Sequence, residues 1–142
     1  MPRHHSNRLT DDQSQLRIRS EAEAIEAILR RVREDLAVWV SSTVLETEIR
    51  RNPDLERRRD VAALLVFADE VVAPHAATGE RALALEKLGF GMFDALHLAT
   101  AEQAHVDVFL TTDDDLARLA RRHSELLLVR VKNPLSWYEE TP

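Results

Sequence analysis

The sequence predicts an α/β fold, a sandwich of helices on a mostly parallel sheet. Short apolar runs alternate with longer segments in which apolar residues recur at helical spacing. The short runs are continuously apolar, as strands covered on both faces are. The chain has 142 residues, the length of one domain, and no internal repeat or low-complexity linker divides it.

The elements follow in order. Residues 15–35 predict a long helix, because Ile18, Ala22, Ile25, Ile28, Leu29 and Val32 recur at helical spacing. Residues 37–41 (AVWVS) read as a short buried strand. Ser42 is a natural N-cap for a short helix over Thr43–Arg51, stopped by Asn52-Pro53. A further helix is expected over residues 54–68, with Asp54 near its start. Val71-Val72 is a short strand candidate before Pro74. Residues 77–88 read as a helix closed by Gly89, and residues 92–104 as a strongly apolar one. A strand over 107–111, a helix over Asp114–Arg122 and a strand over 126–131 follow, with a last turn over Pro134–Glu140. In such sheets ligands sit beyond the carboxyl ends of the strands.

Composition excludes several classes of function. There is no cysteine, so disulfide scaffolds, cysteine–zinc sites, iron–sulfur clusters and thiol nucleophiles are ruled out. No apolar run approaches the ~18 residues of a membrane span. The first ten residues are polar and unlike a secretory signal, so the expected location is the cytoplasm. Net charge is −6, which argues against a broad basic surface for nucleic acid. Yet 17 of the 19 bases are arginine, the better bidentate ligand for phosphate. A GC-rich genome would give the same bias.

Four acids invite a functional reading, and each also has a structural explanation. On the helix Thr43–Arg51, Val44, Leu45 and Ile49 define the apolar face, and Glu48 shares it. Glu46 points away and can pair with Arg50. Glu48 could equally sit at the edge of the face and reach water. In MFDALHLATAEQA, only Asp94, His97 and Thr100 are polar between Met92 and Ala101. A helix apolar nearly all round is usually buried, and an ionised Asp there is costly unless paired or bound to a cation. Asp94 also lies in the first turn, where its charge favours the helix N-terminus. His97 reads as a hydrogen-bonded core histidine before it reads as a ligand. Asp113, Asp114 and Asp115 follow a strand and open a helix; Thr112 or Asp113 can cap it, but three acids exceed what a cap needs. Glu48, Asp94, Asp113 and Asp115 can therefore converge on one rim, where repelling carboxylates call for a hard divalent cation such as Mg²⁺ or Mn²⁺. Such an ion can activate water and stabilise phosphoryl displacement.

These segments resemble a known family. SSTVLETEI (residues 41–49), GFGMFDALHLATAEQAHVDVFLTTDDDL (89–116) and VRVKNPLSWYEE (129–140) look like a PIN domain, the metal-dependent ribonuclease fold used by VapC-type toxins of toxin–antitoxin systems. NRLTDDQSQLRIRSEAEAI (7–25) is similar to the opening of a bacterial subgroup. The resemblance covers nearly the whole chain. It implies a three-layer sandwich around a mostly parallel central sheet, with Glu48, Asp94 and Asp113 at acidic metal positions and Asp115 at a nearby, variably used one. It implies Mg²⁺ or Mn²⁺, an RNA substrate, and frequently a homodimer and a protein antitoxin. Arg17, Arg19, Arg50, Arg51 and Arg118 are candidates for RNA phosphates.

The beginning departs from that pattern. The family opens with an apolar strand ending in a ligand Asp, in the centre of the sheet. Here the first ten residues, MPRHHSNRLT, contain no acid, and the Asp position falls near Pro2. Residues 1–10 are thus expected to form an atypical N-terminus, with the first strand absent and catalysis impaired. Pro2-Arg3-His4-His5 can be encoded so that a one-base shift reads Leu-Asp-Thr, which points to an altered reading frame. The alternative reading is a catalytically inactive PIN-like binding protein or truncated gene product.

Overall fold

The structure, a computed structural model, describes residues 3–51 and 68–141; for residues 3–12, Glu46 and Ile49 only the backbone is described. The helix expected over 54–68 and the Glu46–Arg50 pair lie outside the described residues. Among these, helix α1 spans Arg3–Arg33, β1 Val40–Ser42, α2 Thr43–Arg51, β2 Glu70–Val72, α3 Ala76–Glu86 and α4 Met92–Gln103. They are followed by β3 Val108–Leu110, α5 Asp114–Arg122, β4 Arg130–Lys132 and α6 Pro134–Glu140. No described helix is long and apolar enough to cross a membrane.

Local chemistry sets the helix starts. The Ser42 hydroxyl accepts from the Leu45 amide at 3.3 Å, as an N-cap does. Asn133 accepts from the Leu135 amide at 2.8 Å, with Pro134 in the first turn, where its missing N–H costs nothing. The segment expected to be a final turn is thereby a seven-residue helix. Gly89, at φ +112°, turns the chain after α3 into the left-handed region where a side chain would be strained.

Helix α1 starts twelve residues before the expected one. No Gly or Pro interrupts residues 3–33, so helical propensity carries the backbone beyond the turns that pack. The buried face also differs. Ala24, Ile28, Leu29 and Val32 are buried, whereas Ile18 is 64% exposed and Ala22 faces solvent. The packed stripe begins one turn later than spacing suggested, and it lies against α6.

Among the described residues, the strand pairings are parallel, as expected of an α/β fold. Val40, Ser41 and Ser42 pair with Glu70, Val71 and Val72, and Val108, Phe109 and Leu110 pair with Arg130, Val131 and Lys132. Among the described residues the strands form two two-stranded sheets, β1–β2 and β3–β4, rather than the single sheet expected. The main core lies on β3–β4, where Ala82 and Leu85 of α3, Ala95, Leu98 and Ala99 of α4, and Leu116 and Ala120 of α5 close over Val129.

The strand expected over 126–131 shrinks to Arg130–Lys132 because side chains claim the preceding backbone. The Glu102 carboxylate, 4% exposed, receives Arg81 Nε at 2.8 Å and the Leu128 amide at 2.8 Å. Arg81 also donates to the Leu126 carbonyl at 2.6 Å. A buried charge is tolerable when paired and hydrogen-bonded in this way. Glu102→Ala leaves the Arg81 guanidinium and the Leu128 amide without their acceptor. It should lower stability by about 2 kcal/mol in urea unfolding; an unchanged midpoint would show the pin to be dispensable.

A second polar knot ties α1 to the rest. Glu21, buried at 7% exposure, accepts from Asn133 Nδ2 and from Arg17 at 3.3 Å. Arg17 also makes two hydrogen bonds to the Asp114 carboxylate at 2.5 Å. The α1 turns around residue 17 are thus held at the start of α5, beyond the carboxyl end of β3.

Candidate functional site

The first strand of each sheet ends at an acid-bearing helix. β1 leads through Ser42 directly into α2, which carries Glu48 one and a half turns on. β3 leads through Thr111 and Thr112 to Asp113 at the head of α5. Helix α4 brings Asp94 in its first turn. Glu48, Asp94 and Asp113 all line one cavity of about 680 Å³ between β1 and β3. Three of the four acids singled out from sequence are therefore brought together. The fourth, Asp115, is not: its side chain is 91% exposed and pairs with Arg118 at 3.2 Å.

The negative charges interact. Burial first, then the Asp113 carboxylate, push the Asp94 carboxyl above its ordinary value of 3.8; Glu48 adds to this and His97 opposes it. Such mutual repulsion characterises carboxylates that share a site. The Asp113 side chain caps α5, its Oδ1 accepting from the Asp115 and Leu116 amides at 3.0 and 3.1 Å. Both bonds fall on one oxygen, so capping and a role in the cavity are compatible. Thr111 Oγ1 steadies the turn by accepting from the Asp113 amide at 3.1 Å.

His97 is closer to this chemistry than its reading as a core histidine implied. Its Nε2 lies 3.5 Å from Glu48 Oε1, and its side chain is 12% exposed. The Phe109 ring stands 6.3 Å away, tilted by 41°. The sequence signal was present, since His97 lies one turn after Asp94 on the same helix. What it lacked was the position of α2, which alone brings Glu48 to the imidazole.

The all-oxygen donor set suits a hard divalent cation in kind. In spacing it is open: among the described residues, no group of three His, Cys, Asp or Glu stands close enough to hold a metal ion. The three carboxylates are thus of the right kind for a hard cation, but as placed they do not form a cage for one.

Two of the five arginines considered for phosphate are engaged in ion pairs. Arg17 is held by Glu21 and Asp114, and Arg118 by Asp115. Arg17 and Arg118 line a different and larger cavity, of about 1010 Å³, along β4 and α5. None of the three converging carboxylates borders it, so its size does not make it the chemical site. Arg19, Arg50 and Arg51 are exposed.

Comparison with known proteins adds one finding. No curated protein and no solved structure matches the chain. The family model of the PIN domain matches residues 14–122, a span that includes α2, α4 and α5 with Glu48, Asp94 and Asp113. By that match, over most of its length, the chain belongs to the PIN domain family, whose members are in general divalent-metal-dependent nucleases.

Proposed function

We propose that this protein is a metal-dependent endoribonuclease whose site is formed by Glu48, Asp94 and Asp113, with Mg²⁺ or Mn²⁺ as the cation. The observation that carries the reading is the convergence of these three carboxylates, from α2, α4 and the head of α5, on one cavity. A bound cation would supply a nucleophilic water and stabilise charge on the phosphodiester. The chain's own residues supply the rest. Asp94 and Asp113 offer ligand oxygens, the Asp113 cap holds α5 in place, and His97 keeps Glu48 against α4. Asp115 lies outside the cavity and serves at most as an outer acid that reaches RNA-bound ions. A toxin role with a protein antitoxin and a homodimeric form fits the resemblance of residues 89–116 to VapC-type toxins, and the cytoplasm is the matching location.

The open spacing of the carboxylates favours a second reading, a PIN-like protein that binds without cutting. One experiment separates the two. The full chain is melted with and without saturating Mn²⁺ and incubated with labelled single-stranded RNA. The nuclease reading expects an upward shift of Tm and cleavage abolished by chelator. A shift without cleavage supports the binding reading, and no shift and no cleavage overturns the metal site.

A further inference from the structure

The three acids at the head of α5 are held in three different ways. Asp113, the N-cap, commits its Oδ1 to the Asp115 and Leu116 amides of its own helix. Asp115 pairs with Arg118, one turn further along the same helix. Bonds inside α5 fix these side chains relative to the helix and do not bear on how the helix is set in the fold. The buried residues of α5 are Leu116 and Ala120, so its first turn lies beyond its packed face. Thr111 holds the Asp113 amide from the preceding turn. Among the described residues, Asp114 is the acid of this group that reaches another helix. Its two oxygens each accept from Arg17 of α1 at 2.5 Å. A guanidinium and a carboxylate joined by two parallel bonds fix direction as well as distance.

Arg17 is itself anchored. Glu21, one turn on along α1, accepts from its Nη2 at 3.3 Å and from its Nε at 3.4 Å. Glu21 is buried and accepts in addition from Asn133 Nδ2, and Asn133 caps α6. A continuous path of hydrogen bonds thus runs from the head of α6, through α1, to the head of α5. The pair on which it ends is half exposed, Arg17 at 47% and Asp114 at 53%. Exposed pairs add little to overall stability, so this one acts on orientation more than on the stability of the fold. Asp113 lines the carboxylate cavity, whereas Asp114 lines the larger one beside it. A rotation of the α5 head that frees Asp114 therefore also moves Asp113.

We propose that Arg17 is a positioning residue for Asp113: by gripping Asp114, it sets the first turn of α5 so that the Asp113 carboxylate stands in the cavity with Glu48 and Asp94. The inference deepens the metal-site reading and rests on it for its functional consequence. It also gives Arg17 a task other than the RNA contact that the family resemblance suggested. Its four hydrogen bonds to Glu21 and Asp114 leave little of a five-donor guanidinium for phosphate.

Position and charge lead to opposite results. Arg17 is a cation near the carboxylates, and by Coulomb's law alone its removal should tighten the binding of a divalent cation. Loss of positioning should weaken that binding, by the roughly 10–100-fold that groups supporting a metal ligand are worth. Lysine sharpens the contrast, because it keeps the charge and lacks the planar fork.

The test compares the full chain with Arg17→Ala and Arg17→Lys. Mn²⁺ alone is titrated in, without RNA, and followed by the paramagnetic resonance of the free ion. In chelator, amide exchange is measured at Asp115 and Leu116, whose bonds report the Asp113 cap, and at Leu98 and Ala99 in the core of α4. Mn²⁺ binding is expected to be roughly tenfold weaker in Arg17→Ala, and weaker also in Arg17→Lys. Exchange at Asp115 and Leu116 is expected to quicken by about fivefold while Leu98 and Ala99 keep their protection, the mark of a local opening. Unchanged or tighter Mn²⁺ binding in Arg17→Ala would show that Arg17 does not act through position, and would overturn the proposal. So would unchanged exchange at Asp115 and Leu116, or equal acceleration at all four amides, which would make Arg17 a general brace. If the parent chain binds no Mn²⁺, the metal-site reading fails, and exchange at the α5 head alone decides whether Arg17 holds Asp113.

Discussion

Asp94→Asn should abolish metal-dependent RNA cleavage while making the metal-free protein more stable at neutral pH. The two effects have one origin. Burial and the neighbouring carboxylates of Asp113 and Glu48 raise the pKa of Asp94, so ionising it costs more in the folded chain than in the unfolded one. For an acid with a raised folded pKa, the sign is fixed by linkage. Below the unfolded value of 3.8 the group is protonated in both states and contributes nothing. As pH rises from there through the folded pKa, stability is lost, and the loss persists at neutral pH. The amide removes that cost, offset in part by the lost attraction of a first-turn carboxylate to the helix N-terminus. Melting in chelator should therefore show Asp94→Asn above the parent at pH 7, with the gap closing towards pH 3.5. With Mn²⁺ the order should reverse, because only the parent gains from the cation. Cleavage should fall by roughly 100-fold or more, since even groups that merely support a metal ligand are worth 10–100-fold. A variant less stable than the parent at pH 7 without metal would show that Asp94 is held by favourable contacts rather than strained by repulsion.

Leu98→Ala should be the most damaging single core change. Among the described residues, Leu98 and Leu85 are the largest side chains with no exposure at all, and both belong to the cluster that joins α3 and α4 to β3–β4. Truncation of a leucine enclosed on all sides removes its burial energy and leaves a cavity, at about 2–5 kcal/mol. Urea unfolding measures it directly, and a loss under about 1 kcal/mol would mean that the helices close the gap by sliding. The site should suffer as well. Asp94 and His97 are placed by α4, and α4 is anchored by Ala95, Leu98 and Ala99. Mn²⁺ should therefore raise the melting temperature of Leu98→Ala less than that of the parent.

Much of the fold was legible where local signals agreed. The short helix Thr43–Arg51 and the helix Asp114–Arg122 fall within the expected bounds, because Ser42 and Asp113 cap them and their apolar stripes are narrow. The long helix was misjudged at both levels that depend on context. Spacing marked Ile18 and Ala22 as buried, but α6 and the tie from Glu21 to Asn133 meet the face that carries Glu21, Ala24 and Ile28, from which Ala22 points away. The run over 126–131 looked like a strand from its apolar character alone. Arg81 and Glu102, 45 and 26 residues from their backbone partners, pull that backbone out of the ladder, and no local pattern encodes that.

The acids divide in the same way. Asp113, Asp114 and Asp115 are indistinguishable as consecutive letters, yet one caps α5 and lines the cavity, one binds Arg17 and one faces solvent. A helix turns by about 100° per residue, so neighbouring side chains point in different directions, and which faces the cavity depends on how α5 docks. From its sequence alone the chain is an α/β protein without cysteine, with unexplained acids at the ends of its strands and the stretches that resemble a PIN domain; these are properties of composition, period and motif. The tertiary structure decided which acids line one cavity, that His97 joins Glu48, and that β1 and β3 border that same cavity. Those outcomes rest on contacts between segments tens of residues apart, whose geometry is set by packing rather than by any local preference.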